Sequence, residues 1–476
     1  MAKHTFLGGV ELYGGKEAAR EKPIRTIFPE GEMVYPLLQH IGRPAIPVVA
    51  PGDFVLTGQR IAKADGELSA DLHSSVSGTV KAIEEREDVS GKWVRSIVVD
   101  NDRRYEEIYY PEKRRLSSLG KYEILQAVRD AGVVGMGGAG LPTHIKLDVP
   151  QRQRIDYVIA NGVECEPYQT GNFRRMVENP AKIINGLKIL QKLFPRARSV
   201  MAVGDDQAEC YALFKQLTRE DPQFLVKRLR TKYPQGSERQ LIYALTGRTL
   251  NAKMLPYEIG CIVLNIDTLV AINQAVMVRE PLLTRIVTVG GDAAAAPQNL
   301  RVRIGMSYRE LLEKAGGLRR AVAMQIVGGP MQGRTLATLD APVTKRASSL
   351  LCLSRDRARE QRETACIRCG RCVLACPNRL VPVELYRDVL KGREDSFISH
   401  NGLECNGCGC CSYVCPAKRE LSYGIEAMRE QVLLQPEKAG DYARRYIGVR
   451  HQDAKTAYVE EEFSGTSGAK NTPAGR

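Results

Sequence analysis

Two stretches of the chain repeat one cysteine spacing. CIRCGRCVLACP places Cys366, Cys369, Cys372 and Cys376 ahead of Pro377, and CNGCGCCSYVCP places Cys405, Cys408, Cys411 and Cys415 ahead of Pro416. Each reads C-x2-C-x2-C-x3-C-P, in which three close thiolates wrap one side of an iron–sulfur cubane while the fourth serves the other cluster. The spacing predicts two [4Fe–4S] clusters. One takes Cys366, Cys369, Cys372 and Cys415, and the other takes Cys405, Cys408, Cys411 and Cys376. A pair of zinc sites is the alternative, but zinc is more often held by two CxxC pairs. Gly370, Gly407 and Gly409 let backbone approach the clusters. Cys410 is the spare, either an alternative ligand or an uninvolved neighbouring thiol. Cys210, Cys261 and Cys352 read as small buried hydrophobes.

Nine of the thirteen cysteines lie between Cys366 and Cys415 at metal-ligand spacing, which indicates a reducing compartment. With 476 residues the chain exceeds one core. It has no apolar run of the ~18 residues that a membrane span needs, and no signal-type start, so a secreted or integral membrane protein is not expected. The formal charge of +14 favours an acidic partner, such as nucleic acid, an anionic lipid surface or an acidic protein. Two clusters at about −2 each would bring it to about +10.

Clusters of this kind carry single electrons, so another part of the chain must exchange them with a substrate. KYEILQAVRDA at 121–131 is helical in spacing and runs into GVVGMGGAGLPTHIKL, where Gly135, Gly137, Gly138 and Gly140 match G-x-G-x-x-G. A helix stands where a dinucleotide fold needs a strand, so a turn-rich linker stays open as a reading. Downstream come a strand-like YVIAN, the loop GVECEP with Glu164 and Glu166, then KYPQGSERQLIYALTGR and CIVLNIDTLVAI. Recurring strand, polar loop and helix predict an α/β sheet with loops converging on one edge. On residue type alone, Glu164 and Glu238 could be solvated loop charges, and Asn265 and Thr268 could cap a helix beginning at Leu269.

GMGGAGLPTHIK, NGVECEP, YPQGSE and LNIDT, followed by the two cysteine motifs, resemble the C subunit of the Rnf (Rsx) ion-translocating electron transport complex, a ferredoxin:NAD oxidoreductase. The first four are more distantly similar to the FMN- and NADH-binding subunit of respiratory complex I. The resemblance covers about residues 1–430. It implies a Rossmann-like fold with non-covalent FMN, NAD(H) as substrate, and hydride transfer carried by the FMN, with no catalytic side chain of the protein's own. Gly135, Gly137 and Gly138 would pack against flavin and nucleotide, and Lys146 would supply a cation. Asn161 and Glu164 would hydrogen-bond the flavin's edge or ribityl chain, and Asn265 and Thr268 would receive its phosphate. Glu166 and Glu238 would line the nicotinamide nucleotide pocket, with Tyr233 and Gly236 flanking the ring. Leu141 stands where the family usually has Phe, and Val163 and Ser237 stand where the complex I protein has acidic residues.

The flanks fit this frame. Residues 30–100 resemble a lipoyl or biotinyl barrel-sandwich module whose hairpin tip, ADGELSA, has no lysine for a swinging arm, so the module reads as a docking scaffold. His40 and His73 are expected to be structural. Residues 284–345 resemble the β-grasp, soluble-ligand-binding module of this superfamily and are expected to be structural. The expected architecture is multidomain α/β: a barrel-sandwich β domain at 1–110, a Rossmann-like FMN/NADH domain at 118–283, the β-grasp module at 284–345, an α-helical ferredoxin-like domain with two [4Fe–4S] clusters at 346–432, and a C-terminal helix and disordered tail at 433–476. The resemblance further implies partners among the membrane and ferredoxin-like subunits of the complex, a peripheral place on the cytoplasmic side of the cell membrane against anionic lipid, and no nucleic acid. Two rivals remain. A cobalamin reductase of the propanediol-utilisation type normally begins at the glycine loop, which the N-terminal module argues against. An electron-wiring subunit would have clusters but no working nucleotide site.

Overall fold

The computed structural model describes residues 4–110, 113–355, 362–439 and Tyr442. The tail beyond them lies outside the described residues. The expected helix near its start is seen as Pro436–Ala439.

The N-terminal module is two small antiparallel sheets. One runs in the order Met33–Pro36, Trp93–Asn101, Gly78–Glu87, Phe54–Val55, and the other pairs Arg60–Lys63 with Ile46–Pro47 and Leu72–His73. Apolar residues alternate inward, as in Gly78 and Val80 buried with Thr79 and Lys81 exposed. The ADGELSA hairpin tip is pinned down: Gly66 O accepts from Arg129, Glu67 O hydrogen-bonds His144, and Leu68 O accepts from Arg43 N. A tip bonded at three points cannot swing. His40 and His73 are buried beneath it, and burial drives their pKa values down to about 4 and about 3, so both are neutral structural residues.

The second unit is a four-stranded parallel sheet in the order Phe224–Leu229, Arg198–Gly204, Tyr157–Asn161, Cys261–Asn265. The strands are continuous apolar runs because helices cover them, notably Pro180–Leu193, which packs on Ile266–Asn273. The latter helix begins at Ile266, three residues earlier than the sequence suggested, because Asn265 caps it by accepting from Asp267 N at 2.8 Å.

The third unit is a six-stranded mixed sheet in the order Arg25–Thr26, Gln298–Arg303, Thr284–Gly290, Ser349–Leu353, Met324–Val327, Arg334–Thr335. It takes in two strands from outside 284–345. Residues 4–16 leave the barrel-sandwich too: His4 bridges to Leu229, Val10 N and O pair with Tyr233, and Gly9 N donates to Ala375 O. The segment therefore straps the parallel-sheet unit to the cysteine region.

The fourth unit is helical, with Leu385, Phe397, Ile425, Met428 and Val432 packed around Cys411 and Cys415. The sequence duplication is a backbone duplication. Gly370 and Gly409 occupy equivalent motif positions and are left-handed at φ 73° and 78°, each starting a short helix, Arg371–Ala375 and Cys410–Tyr413. Arg379 and Lys418, equally equivalent, share φ 57° and 55°.

Candidate functional site

The carboxyl ends of the parallel strands converge on one edge, where open α/β sheets bind their ligands. The glycine loop lies across that edge. It is closed on itself by Gly135 N to Leu141 O at 2.8 Å and Gly140 N to Gly135 O at 3.1 Å, and tied down by Met136 N to Thr268 Oγ1 at 3.0 Å. A Cβ on Gly137 would stand 3.4 Å from Asn265 Cβ, whereas Gly138, at φ 119°, faces open space. A planar group could lie on that bared backbone.

Around the loop the expected residues divide. Asn161 ends its strand and donates to Gly236 O at 2.9 Å, while its Oδ1 accepts from Val163 N. Lys146 pairs with Glu238 across the mouth. Asn265 caps its helix and offers Nδ2 at the edge, 3.4 Å from Asn172 Oδ1. Glu166 is turned toward the six-stranded third unit, where it accepts from Met331 N and Gln332 N, and burial pushes its carboxyl up to about 7.

Three residues differ from expectation. Glu164 is neither a solvated charge nor a group pointing into the edge; it is buried and accepts from Asn172 N at 2.9 Å and Phe173 N at 3.3 Å, holding the start of helix Gly171–Glu178. Burial raises its pKa, and Lys16 opposes that rise from the N-terminal strap, with its Nζ donating to Glu164 O. Thr268 is fully buried, its hydroxyl used by the glycine loop. Tyr233 is turned away from the edge: it is 1% exposed, and its hydroxyl donates to Cys408 O at 2.7 Å.

That bond leads to the cysteines. A small pocket is lined by Cys376, Cys405, Cys408 and Cys411, with Leu380 and Ile425 among its apolar walls. These are the four ligands that the crossed spacing assigns to one cluster. Burial pushes Cys405 up to about 11 and raises Cys376 and Cys411, so ionising these thiols costs energy that bonding to a cationic metal cluster would offset. Cys410 does not line the cavity; its Sγ lies 4.0 Å from Tyr233 O. Of the other set, Cys366 and Cys369 are exposed, Cys372 is half-buried and Cys415 is buried.

Several residues at the site carried no signal in the sequence reading. Arg285 donates to Met136 O and, with Arg175, clasps the buried Asp267 carboxylate at 3.3 and 2.7 Å, which fixes the loop on the helix below. Lys16 lies some 150 positions from Glu164, and Arg346, which donates to Gly138 O, comes from the loop before strand Ser349–Leu353 of the six-stranded sheet. The doubled glycine of GGPMQG could have flagged Met331 and Gln332, because paired glycines mark close backbone approach.

The loop from Tyr233 to Glu238 thus meets the sheet edge through Gly236 and the cysteine region through Tyr233, and a fold that sets these two against each other is that of a flavin and iron–sulfur electron-transfer protein. Comparison with known proteins makes the class specific. Family models match as the RnfC barrel sandwich hybrid domain over residues 4–104, the Nuo51 FMN-binding domain over 128–274, the SLBB domain over 286–335 and the 4Fe-4S dicluster domain over 359–427. The chain is 36% identical over 440 residues to the C subunit of the Na(+)-translocating ferredoxin:NAD(+) oxidoreductase complex of Acetobacterium woodii, covering 92% of this chain and 99% of that protein. It is 38% identical to the proton-translocating counterpart of Clostridium ljungdahlii over 79% of this chain and 83% of that one. It is 37% identical to the C subunit of the ion-translocating oxidoreductase complex of Pseudomonas aeruginosa, about half of whose length it spans at 52%. A solved NAD+-reducing [NiFe]-hydrogenase in the H2-reduced state is a partial likeness, with TM-score 0.45 and 15% identity over 78% of this chain and 75% of that one. The chain belongs to the RnfC family, the C subunits of ion-translocating oxidoreductase complexes, and its cofactors are FMN and two [4Fe–4S] clusters. Among the described residues no helix is long and apolar enough to cross a membrane.

Proposed function

We propose that this chain exchanges electrons between NADH and the other subunits of a membrane-bound ferredoxin:NAD oxidoreductase, in which ion translocation resides in its partners. The observation that carries the reading is the hydrogen bond from Tyr233 to Cys408 O, which joins the glycine-loop edge to the wall of the thiol cavity. FMN, when bound, supplies the conversion between hydride and single electrons.

The chain's own residues supply place and charge. Gly135, Gly137 and Gly138 offer bared backbone to the flavin. Asn161 and Asn265 offer amide donors to it and to its phosphate, and Lys146 a cation. Glu166 and Glu238 offer carboxylates to a nucleotide, and Gly236 keeps the facing loop thin. Glu164 and Thr268 shape the site by fixing its backbone.

The cluster on Cys376, Cys405, Cys408 and Cys411 is then the inner one, next to the flavin unit, and that on Cys366, Cys369, Cys372 and Cys415 the outer one. The outer set opens on a surface with Ile367 69% and Leu374 78% exposed, flanked by the exposed Arg368 and Arg371. An apolar centre with a basic rim suits an acidic redox partner subunit. The overall positive charge suits the cytoplasmic, anionic face of a membrane.

The test compares wild type with Cys366→Ala by anaerobic stopped flow. NADH should bleach the flavin absorbance in both, and both should reduce ferricyanide, while delivery to the partner subunit should fail in the variant. Loss of NADH-dependent bleaching in a variant that keeps its FMN and fold, or unchanged delivery to the partner, would refute this order.

A further inference from the structure

The β-grasp unit reads from sequence as structural, but its loop Gly328–Gly333 reaches into the redox site. Met331 N and Gln332 N each donate at 3.1 Å to a different oxygen of the Glu166 carboxylate. Gly329 passes so close beneath that a Cβ there would overlap the Glu166 carboxyl and Cγ. The loop is tightly folded, with Gly328 at φ 90° and Gly333 N bonded to Gly329 O at 2.7 Å. Its other side faces the inner cluster. Met331 packs in one apolar group with Tyr233, Cys165, Cys408 and Cys410, and a Cβ on Gly409 would meet Met331 O at 3.4 Å and its methyl at 3.6 Å. One residue therefore touches the carboxylate on one side and, on the other, the backbone between two cluster ligands.

We propose that this loop is a positioning element that couples nucleotide occupancy at Glu166 to the reduction potential of the inner cluster, with Met331 as the contact between them. The proposal rests on the reading of Glu166 as a nucleotide-pocket residue. Two N–H groups hold the carboxylate from the β-grasp side, and a nucleotide that hydrogen-bonds the same oxygens competes for them. A shift of Met331 changes packing at Gly409, and cluster potentials respond to the packing, solvation and hydrogen bonding around their sulfurs. Coupling of two binding events is reciprocal, so the redox state of the inner cluster must alter nucleotide affinity by the same factor. The arrangement would let nucleotide binding poise the first electron acceptor.

The experiment uses the full chain, purified anaerobically with FMN and both clusters. Redox titrations followed by EPR, with and without saturating NAD+, give the inner-cluster potential, identified as the signal that Cys376→Ala alters. In wild type, NAD+ should shift that potential, a tenfold coupling corresponding to about 59 mV for one electron. Met331→Ala, which keeps the N–H but removes the packing, should abolish the shift while retaining FMN and iron. Gly329→Ala, which displaces the carboxylate, should do the same and raise the KM for NADH roughly tenfold, as expected for a lost charge-assisted hydrogen bond. No shift in wild type, or a wild-type shift in Met331→Ala, overturns the proposal. If Gly329→Ala does not fold, Met331→Ala decides alone. Glu166→Gln separates the two levels: unchanged NADH affinity there removes the pocket reading and the coupling together, whereas weakened affinity with a full shift in Met331→Ala removes the coupling only.

Discussion

The Tyr233 hydroxyl donates to the backbone carbonyl of Cys408 at 2.7 Å, so the loop after the parallel sheet's first edge strand is bonded to the peptide of a cysteine in the second motif. The residues sit 175 positions apart and both are buried. The contact is reinforced by Arg239 with Glu404 at 3.0 Å and Gln240 with Asn378 at 2.8 Å. Tyr233→Phe keeps the ring and leaves the carbonyl without its partner, which costs about 1–3 kcal/mol. Thermal unfolding of the cluster unit should move to lower temperature while FMN content is unchanged; an unaltered transition would show that the bond carries no weight.

Crossed ligation makes an asymmetric prediction. Anaerobically prepared protein should hold about eight iron and eight labile sulfide per chain. Because Cys376 lines the cavity of Cys405, Cys408 and Cys411, Cys376→Ala should disturb that cluster more than the one served by Cys366, Cys369 and Cys372. Mössbauer or EPR spectra distinguish the two outcomes. Zinc in place of iron would contradict the assignment.

Gly137 stands with its missing Cβ 3.4 Å from Asn265 Cβ. A branched side chain there must displace either the glycine loop or the helix cap, so Gly137→Val should lose FMN and keep its iron. Fluorimetry of released flavin, with iron analysis on the same sample, reads this directly. Stoichiometric FMN in the variant would remove the loop from the flavin site.

Burial pushes the Glu166 carboxyl up to about 7. The folded state therefore binds the proton more tightly than the unfolded chain, so the group's contribution to stability is full below about pH 4.5 and is lost as pH rises through about 7. Only the ionised form is acceptor-only. The KM for NADH should fall as pH rises through 7, and Glu166→Gln should flatten that profile. A profile that stays sigmoidal near pH 7 in the variant would assign the titration to another group.

The duplicated cysteine spacing was legible because each ligand set is nearly local: three cysteines fall within seven residues, and the turn geometry between them, set by Gly370 and Gly409, is local too. The alternation of Gly78–Glu87 and the apolar runs of the parallel strands were legible for the same reason, since burial on one face or two is written in the period. The chemical types at the flavin edge could be named. Their orientations could not, because a side chain turns toward whichever buried group lacks a partner, and the sequence does not say where that group comes from. Glu164 was free for a ligand until a helix start needed its carboxylate; Tyr233 was a ring neighbour until Cys408 O arrived behind it.

Local spacing pointed to the cluster type and the glycine loop, each written within a few tens of residues, while the kinds of flanking unit came from resemblance to a known family. How the units meet was settled in three dimensions. The N-terminal strap runs back to Tyr233 and Ala375, the β-grasp sheet borrows Arg25–Thr26 and Ser349–Leu353, and Met331 lies between Glu166 and Gly409. The strap and sheet contacts join backbone N–H and C=O groups tens to hundreds of residues apart, and the Met331 contact sets a backbone N–H on a side-chain carboxylate. Every backbone carries such groups alike, so no residue type marks which of them will be brought together, and only the packing of the whole chain selects the pairs.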